Sequence, residues 1–221
     1  MQKAEALKKL KQLIGQDLRP LADSFGVTVW KLDKLNKGWA GHTIERHLGL
    51  ALNSSRAPNL GSWELKVVPL VQRTRSGLRV KETMAITMLD PVEVAAQPFE
   101  KSHLFNKLRK IIIVARVFES LKELCSIVYY VGDFALDNPE IYSQVRTDYE
   151  LIRSTIQKGG LKAVHSSLGV LIQARTKGPG HGSISRAFYA RTQFFSNILN
   201  LCPWEGGPTP AAAICLPQKK G

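Results

Sequence analysis

A carboxylate and an ammonium group stand two residues apart in the segment from Ser62 to Val67. We predict a β-strand here, and alternate residues of a strand point the same way, so Glu64 and Lys66 should lie side by side. Their neighbours are largely apolar, and burying charge in such surroundings is costly unless the charge is used. A carboxylate can bind a divalent metal ion, and a lysine can neutralise charge on an anionic reaction centre. The pair is the first candidate for a catalytic site.

The same E-x-K pair ends the P-D-x(n)-E-x-K motif of metal-dependent nucleases. In that motif the carboxylates bind Mg²⁺, which polarises the scissile phosphate and lowers the pKa of the attacking water. An E-x-K pair alone is common on exposed strands, but here Pro58 and Asn59 precede it, where the motif has Pro and Asp. An amide oxygen can coordinate a metal but brings no charge, so metal affinity and water activation should fall. Asn59 is either a natural variation or an inactivating replacement of Asp, and the completeness of the remaining site favours replacement.

Other segments show an ordered resemblance to one enzyme family. The run from Asn36 to Gly49, K-G-W-x-G-x-x-x-E-x-x-L-G, followed by the E-L-K strand, resembles the MutH-like DNA endonucleases. That family comprises mismatch-repair nicking enzymes and related type II restriction enzymes that cut GATC sites. The resemblance covers most of residues 1–200 and continues, in the family's order, through Phe99 to Ile111, Arg146 to Glu150, Arg175 to Gly178 and Ser185 to Tyr189.

The resemblance implies a catalytic set of Glu45, Asn59, Glu64 and Lys66. Mg²⁺ would be held by Glu45, Asn59 and Glu64. Without the family pattern, Glu45 would be interpreted as a solvated helix carboxylate. The resemblance also implies that Lys107 contacts the phosphate near the cut. The alternative is that Lys107 belongs to a solvated basic face of its helix.

Further residues are expected to contact DNA. By resemblance these are Arg175, Lys177, Arg186 and Tyr189. In this family the segment near the position of Tyr189 monitors the adenine methyl group of the target. The alternative is that Tyr189 is an aromatic residue of the core. The stretch from Val71 to Val80 is basic in its own right and is expected to be a DNA-contacting loop or else a mobile hairpin tip. Its arginines are Arg73, Arg75 and Arg79.

The charge of the chain favours a polyanionic partner. Lys and Arg number 31 and Asp and Glu 18 among 221 residues, which gives a net charge of +13. Such an excess repels itself unless a polyanion balances it, and double-stranded DNA is the leading candidate. The 3 Cys show no zinc-ligand spacing, which argues against a structural zinc site. No apolar run approaches a membrane span and no signal-peptide core is present, so we expect an intracellular, cytoplasmic protein.

Helices and strands together must position these residues. Helices are predicted at residues 4–14, 18–25, 41–52, 103–109, 142–157 and 191–201, and strands at residues 63–68, 80–89, 110–117, 126–131 and 168–174. This mixture predicts an α/β fold. The resemblance implies a restriction-endonuclease-like PD-(D/E)xK core, with a mixed sheet, flanking helices and two lobes around a DNA cleft. We expect one domain over residues 1–201, with lobes at about 1–120 and 121–201, and a loose tail at 202–221.

The leading hypothesis is a Mg²⁺-dependent, sequence-specific DNA endonuclease of the type II restriction class. The basic stretch, the short spacing from Asn59 to Glu64 and the unmatched tail favour that class. The alternatives are a mismatch-repair nicking endonuclease or a catalytically dead DNA-binding module. An RNA-binding protein would display stacking aromatics or a Gly-rich clamp, and the sequence shows neither. Partner systems would be a methyltransferase or mismatch-repair proteins, and the chain would act as a monomer or a DNA-dependent dimer.

Overall fold

The computed structural model describes residues 1–32, 34–50, 60–73, 77–119, 122–177 and 185–201. Helices and strands alternate along these ranges, and the longer strands form two sheets. The predicted α/β class, with a mixed sheet and flanking helices, is confirmed. Two predicted site residues, Asn59 and Arg75, lie outside the described residues, and so does the predicted tail at 202–221.

The described residues form helices and strands with the following bounds. The helices are α1 (Lys3–Lys11), α2 (Leu18–Ser24), α3 (Trp39–His47), α4 (Pro91–Ala96), α5 (His103–Leu108), α6 (Pro139–Gly159) and α7 (Thr192–Ile198). The strands are β1 (Trp30–Lys31), β2 (Lys34–Leu35), β3 (Glu64–Arg73), β4 (Gly77–Val80), β5 (Met84–Leu89), β6 (Lys110–Val117), β7 (Val128–Ala135), β8 (Ile172–Thr176) and β9 (Arg186–Ala190).

Strand β3, which carries Glu64 and Lys66, is an inner strand of a four-stranded sheet with the order β4-β3-β6-β7. It runs parallel to β6 and antiparallel to β4, while β6 and β7 are antiparallel. Glu64 pairs with Ile111 and Lys66 with Ile113, so β3 and β6 begin at the same edge of the sheet. The start of β3 therefore lies beside the segment that leads into β6.

The two faces of this sheet bury two different apolar clusters. On β6, Ile111, Ile113 and Ala115 belong to one cluster, which α4 to α7 and the second sheet complete. Ile112 and Val114 belong to the other, which α1, α2 and α3 complete. Burial on both faces explains the uninterrupted apolar run in β6, because a strand covered on both sides has no polar face.

The second sheet is antiparallel, with the order β5-β9-β8. It corrects the prediction of one strand over residues 80–89, because Val80 pairs with Leu70 in the first sheet and Met84 pairs with Ala190 in the second. The polar residues 81–83 lie where the chain passes between the sheets. Strand β9 was not predicted as a strand, although its residues were singled out as a family segment.

Proline-containing caps explain two helices that the sequence analysis missed or shortened. The side chain of Asp90 accepts hydrogen bonds from the first amides of α4, and Pro91 follows at the first helical position. Asn138 and Pro139 start α6 in the same way, three residues before the predicted start.

Helix α3 begins at Trp39, two residues before its predicted start.

The predicted lobe boundary near residue 120 falls between β6 and β7, which pair in one sheet. The division into lobes stays a prediction. In the part of the chain that the structure describes, no helix combines the length and apolar character needed to cross a membrane.

Candidate active site

Glu64 and Lys66 lie on one face of β3, as the two-residue spacing predicts. The Nζ atom of Lys66 is 2.8 Å from Oε1 of Glu64. The Glu64 residue is only 4% exposed, although it lies at the first position of its strand. A carboxylate buried this deeply needs compensating charge, because desolvation of an ion is costly.

A second lysine supplies the rest of that compensation. Lys107 lies in the last turn of α5, which Ser102 starts by accepting a hydrogen bond from the amide of Phe105. Because α5 leads directly into β6 and β6 runs parallel to β3, Lys107 comes to the start of β3. Its Nζ atom is 2.8 Å from Oε2 of Glu64. Each oxygen of the carboxylate therefore faces one ammonium group.

The burial of Lys107 argues against one of the two interpretations of its position. The residue is 7% exposed, so it does not belong to a solvated basic helix face. Its contact with a DNA phosphate stays a prediction. The sequence analysis placed Lys107 in the site by resemblance, but not its pairing with Glu64, which depends on the parallel register of β3 and β6.

Glu45 approaches the same pair from α3, on whose inner face Trp39, Ala40 and Ile44 pack into the core. The carboxyl group of Glu45 is partly buried, and this burial raises its pKa. The negative charge of Glu64 raises the pKa further, while His42 and Lys66 lower it. Glu45 is therefore within electrostatic range of Glu64 and Lys66, and its partial burial disagrees with a fully solvated helix carboxylate.

The donor set suits a hard divalent cation. Within the described residues, no three His, Cys, Asp or Glu side chains gather into a metal-binding group. Glu45 and Glu64 offer two carboxylates, and Mg²⁺ is usually held by one or two carboxylates together with substrate phosphate and water. Asn59, the third expected ligand, lies outside the described residues. The residues present therefore fit Mg²⁺ in type and number of donors.

The basic stretch from Val71 to Val80 is not a loop throughout. Its described parts form a β-hairpin, in which Arg73 pairs with Gly77 and Arg79 with Val71. Residues 74–76, and with them Arg75, lie outside the described residues. The DNA-contacting role of these arginines stays a prediction.

The second sheet gathers the remaining predicted DNA contacts. Tyr189 is partly exposed on β9, and the guanidinium carbon of Arg175 lies 5.7 Å from the centre of its ring. Arg175 also donates a hydrogen bond to Oγ1 of Thr83 at 2.8 Å. Partial exposure disagrees with the interpretation of Tyr189 as a core aromatic.

Arg186 lies at the start of β9 and donates a hydrogen bond to Oγ1 of Thr176 at 3.2 Å. Lys177 follows β8, and its amide donates to the carbonyl of Ser185 at 2.8 Å. A cavity of about 350 Å³ lies here, with a mostly polar lining from Val164, His165, Ser166, Arg175, Thr176 and Arg186. These strand ends therefore present clustered positive charge, as a nucleic-acid contact requires.

Within the family segment from Arg146 to Glu150, Asp148 has a structural role. Asp148 is 1% exposed, and its carboxylate accepts hydrogen bonds from the amides of Val170, Leu171 and Ile172 at 2.7–2.8 Å. These bonds fix the chain just before β8, so β8 begins at Ile172 and not at residue 168 as predicted. The sequence analysis gave Asp148 no role, and spacing alone does not indicate which amides it meets.

Two comparisons with known proteins find the same family. The family model described as "DNA mismatch repair enzyme MutH" matches residues 48–153, a range that includes Glu64, Lys66 and Lys107 but not Glu45. A "DNA mismatch repair protein MutH" from Vibrio cholerae serotype O1 (strain M66-2) is 30% identical over 217 residues, covering 88% of this chain and 94% of the relative.

Similar proteins of the same name come from other bacteria. The one from Vibrio parahaemolyticus serotype O3:K6 (strain RIMD 2210633) is 27% identical over 214 residues, covering 89% of this chain and 92% of the relative. The one from Actinobacillus pleuropneumoniae serotype 5b (strain L20) is 26% identical over 213 residues, covering 88% and 92%. An identity of 30% over 88% of the chain, together with the matching family model, shows that the chain belongs to the MutH family.

Proposed function

We propose that the chain is a Mg²⁺-dependent DNA endonuclease of the mismatch-repair type, which hydrolyses a phosphodiester bond in duplex DNA. The observation that carries the proposal is the buried Glu64 carboxylate, which has one lysine ammonium 2.8 Å from each oxygen. The membership of the MutH family supports it.

The chain's own residues have distinct roles in this reaction. Glu64 and Glu45 would hold Mg²⁺, which supplies charge stabilisation at the phosphate and lowers the pKa of the attacking water. Lys66 lies on the same strand face as Glu64, and its ammonium group would neutralise the negative charge that develops on the phosphate oxygens. Lys107 pairs with the second oxygen of Glu64 and fixes the orientation of that carboxylate.

The substrate is proposed to be double-stranded DNA. The net charge of +13 provides the long-range attraction, and Arg175, Lys177 and Arg186 provide a basic surface at the strand ends of the second sheet. A DNA substrate also agrees with the expected intracellular location. Mismatch-repair proteins are the proposed partners, because the relatives carry that name. A monomer or DNA-dependent dimer stays a prediction.

The comparisons favour the nicking alternative over the type II restriction class. The three relatives described above are named as mismatch-repair proteins, and this chain covers 92–94% of their lengths. The departures that favoured restriction lie at Asn59, in the 71–80 stretch and in the 202–221 tail, much of which is outside the described residues. We therefore propose that one strand is cut.

A plasmid assay tests the proposal. Supercoiled DNA carrying unmethylated GATC sites is incubated with the protein in Mg²⁺ or in EDTA, with Glu64→Gln as the control. We expect the parent protein to form a nicked circle in Mg²⁺ but not in EDTA. Glu64→Gln should form none. Linear DNA formed without a nicked intermediate would favour the restriction class. Equal cutting by Glu64→Gln would contradict the site.

The role of Asn59 is a separate arm of this assay. We propose that Asn59 stands where the family has its aspartate, so the missing charge weakens the metal site. Asn59→Asp is expected to raise the Mg²⁺-dependent rate by orders of magnitude. Equal rates for Asn59→Asp and the parent chain would show that Asn59 is not at the ligand position.

A further inference from the structure

The connection between β6 and β7 carries a second buried carboxylate, away from Glu64. Glu123 is 2% exposed. Its two oxygens accept hydrogen bonds from the guanidinium of Arg116 at 3.0 and 3.2 Å. Its Oε2 atom also accepts a hydrogen bond from the indole Nε1 of Trp39 at 2.6 Å. The carboxylate therefore joins two elements that are far apart in the sequence.

Both partners belong to elements that build the active site. Trp39 is fully buried and is the first residue of α3, the helix that carries Glu45. Arg116 lies on β6, where it pairs with Pro69 of β3, the strand that carries Glu64. Glu123 thus connects the helix with one candidate ligand to the sheet with the other.

The backbone around Glu123 shows that this arrangement is held firmly. Glu123 has a φ of +44°, a conformation that a residue with a side chain rarely adopts unless its surroundings determine it. Its carbonyl accepts a hydrogen bond from the guanidinium of Arg19 at 2.8 Å. Arg116 in turn donates to Oγ of Ser126 at 2.8 Å. The carboxylate is therefore fixed from its backbone and from its side chain.

Apolar packing and this hydrogen bond constrain α3 differently. Ala40 and Ile44 bury one face of the helix through apolar contacts, which are non-directional one by one. The Trp39–Glu123 bond is directional and acts at the first residue of α3. Glu45 lies about 9 Å further along the axis, at 1.5 Å per residue, so a tilt at Trp39 displaces it.

We propose that Glu123 is a positioning residue: through its hydrogen bond to Trp39 and its ion pair with Arg116, it sets the orientation of α3 and thereby places Glu45 beside Glu64. The inference rests on the proposed function, because it assigns a purpose to Glu45. It predicts that Glu123 affects metal binding and the chemical step without touching DNA.

The test compares two substitutions in the same network. Trp39→Phe removes the indole donor and keeps an aromatic ring, so it breaks the link to α3. Ser126→Ala is the matched control, because it removes a buried hydrogen bond to Arg116 and leaves the Trp39–Glu123 bond in place. Glu123→Gln keeps the size of the side chain and an oxygen that can accept the indole bond, but it removes the ion pair with Arg116. If Trp39→Phe does not fold, Glu123→Gln tests the other half of the link and should lower the same Mn²⁺ affinity and cleavage rate.

Three quantities are measured at a temperature where all variants are folded: Mn²⁺ affinity by calorimetry without DNA, single-turnover cleavage in Mg²⁺, and DNA affinity in Ca²⁺. Trp39→Phe is expected to lower Mn²⁺ affinity and the cleavage rate by about tenfold or more, since small misplacements of catalytic groups cost this much. DNA affinity should change by less than about twofold, because the DNA contacts are elsewhere. Ser126→Ala should lower only the melting temperature.

Unchanged Mn²⁺ affinity and rate in Trp39→Phe, or equal losses in Ser126→Ala, would overturn the positioning role. A Glu45→Gln variant separates this failure from failure of the proposed function. If Glu45→Gln lowers Mn²⁺ affinity and cleavage but Trp39→Phe does not, only the positioning inference is wrong. If Glu45→Gln changes neither quantity, the assignment of Glu45 to the site is wrong as well.

Discussion

The Nζ atom of Lys107 lies 2.8 Å from Oε2 of Glu64, and both residues are buried. The two are 43 positions apart and meet because α5 delivers Lys107 to the edge at which β3 and β6 begin in parallel. Lys66 occupies the other oxygen of Glu64. In the free protein two ammonium groups therefore lie against one buried carboxylate, which leaves an excess of one positive charge beside a group that could also bind metal.

Lys107 should stabilise the fold as well as orient the site. Lys107→Met leaves one oxygen of a buried carboxylate without its ammonium partner, so the free energy of unfolding should fall by about 1–3 kcal/mol. Urea denaturation of the metal-free protein measures this change. The double variant Glu64→Gln/Lys107→Met is the control, because it removes both charges and should lose less than the sum of the two single variants. Strict additivity would show that the pair does not interact.

The pH dependence of stability should report on Glu45. Burial raises the pKa of this carboxyl group, and Glu64 raises it further. The folded protein therefore favours the neutral form, and the stability that this form contributes is present at low pH and lost as the pH rises through the raised pKa. Glu45→Gln removes the ionisation. In EDTA its melting temperature should exceed that of the parent by a margin that grows from about pH 4 to pH 8.

Glu140→Gln, at an exposed position in the first turn of α6, controls for the substitution itself. A margin for Glu45→Gln that shrinks as the pH rises would contradict the electrostatic environment described for Glu45.

Asp148 should be a major structural anchor, although it lies in a family segment. Asp148→Ala leaves the amides of Val170, Leu171 and Ile172 without their acceptor, and unsatisfied buried donors cost about 1–3 kcal/mol each. We expect a loss of about 3 kcal/mol or more in the free energy of unfolding. Thermal and urea denaturation measure it.

Arg146→Ala is the matched control on the same helix. Its ion pair with Glu100 is exposed, with side chains 57% and 40% accessible, so removing it should change stability by about 1 kcal/mol or less. Similar losses for Asp148→Ala and Arg146→Ala would contradict the anchoring role.

Tyr189 should affect DNA discrimination more than overall affinity. If its hydroxyl contacts a base edge, Tyr189→Phe should cost about 1–3 kcal/mol on the preferred duplex only. The measurement compares affinity and cleavage on unmethylated, methylated and mismatched GATC duplexes. Tyr142→Phe, which removes a hydroxyl bonded to Glu100, serves as the control. If Tyr189→Phe weakens binding to all duplexes equally, Tyr189 has a structural role or contacts the DNA backbone, and does not contact a base.

The sequence predicted the local part of the site better than its long-range part. Alternation on β3 predicted that Glu64 and Lys66 share a face, because that relationship depends only on strand geometry. The contact of Lys107 with Glu64 depends on which strands pair and in which register, which no local spacing encodes. The Glu123–Trp39 bond was missed for the same reason, since its partners are 84 positions apart.

Elements were predicted where the hydrophobic pattern is uniform, as in the continuous apolar run of β6 and the helical period of α6. They were missed or merged where the chain changes partners over a short distance. The predicted strand over residues 80–89 combines two groups of β-forming residues, yet Val80 and Met84 belong to different sheets. Helix α4 has a clear Asp-Pro start, so closer attention to capping residues would have found it.

The central claim, that Glu64 and Lys66 act on a DNA phosphate, is tested most directly by measuring single-turnover cleavage and DNA affinity together for Lys66→Met. The measurement is made in the parent chain and in an Asn59→Asp background, with the exposed Lys8→Met as the control for lost charge. The account predicts that Lys66→Met lowers the cleavage rate at least about 100-fold, because stabilisation of transition-state charge is lost. It also predicts DNA affinity within about twofold of the parent, because one phosphate contact is a small part of the interface. No cleavage in either background, or equal losses of rate and affinity in Lys66→Met, would contradict it.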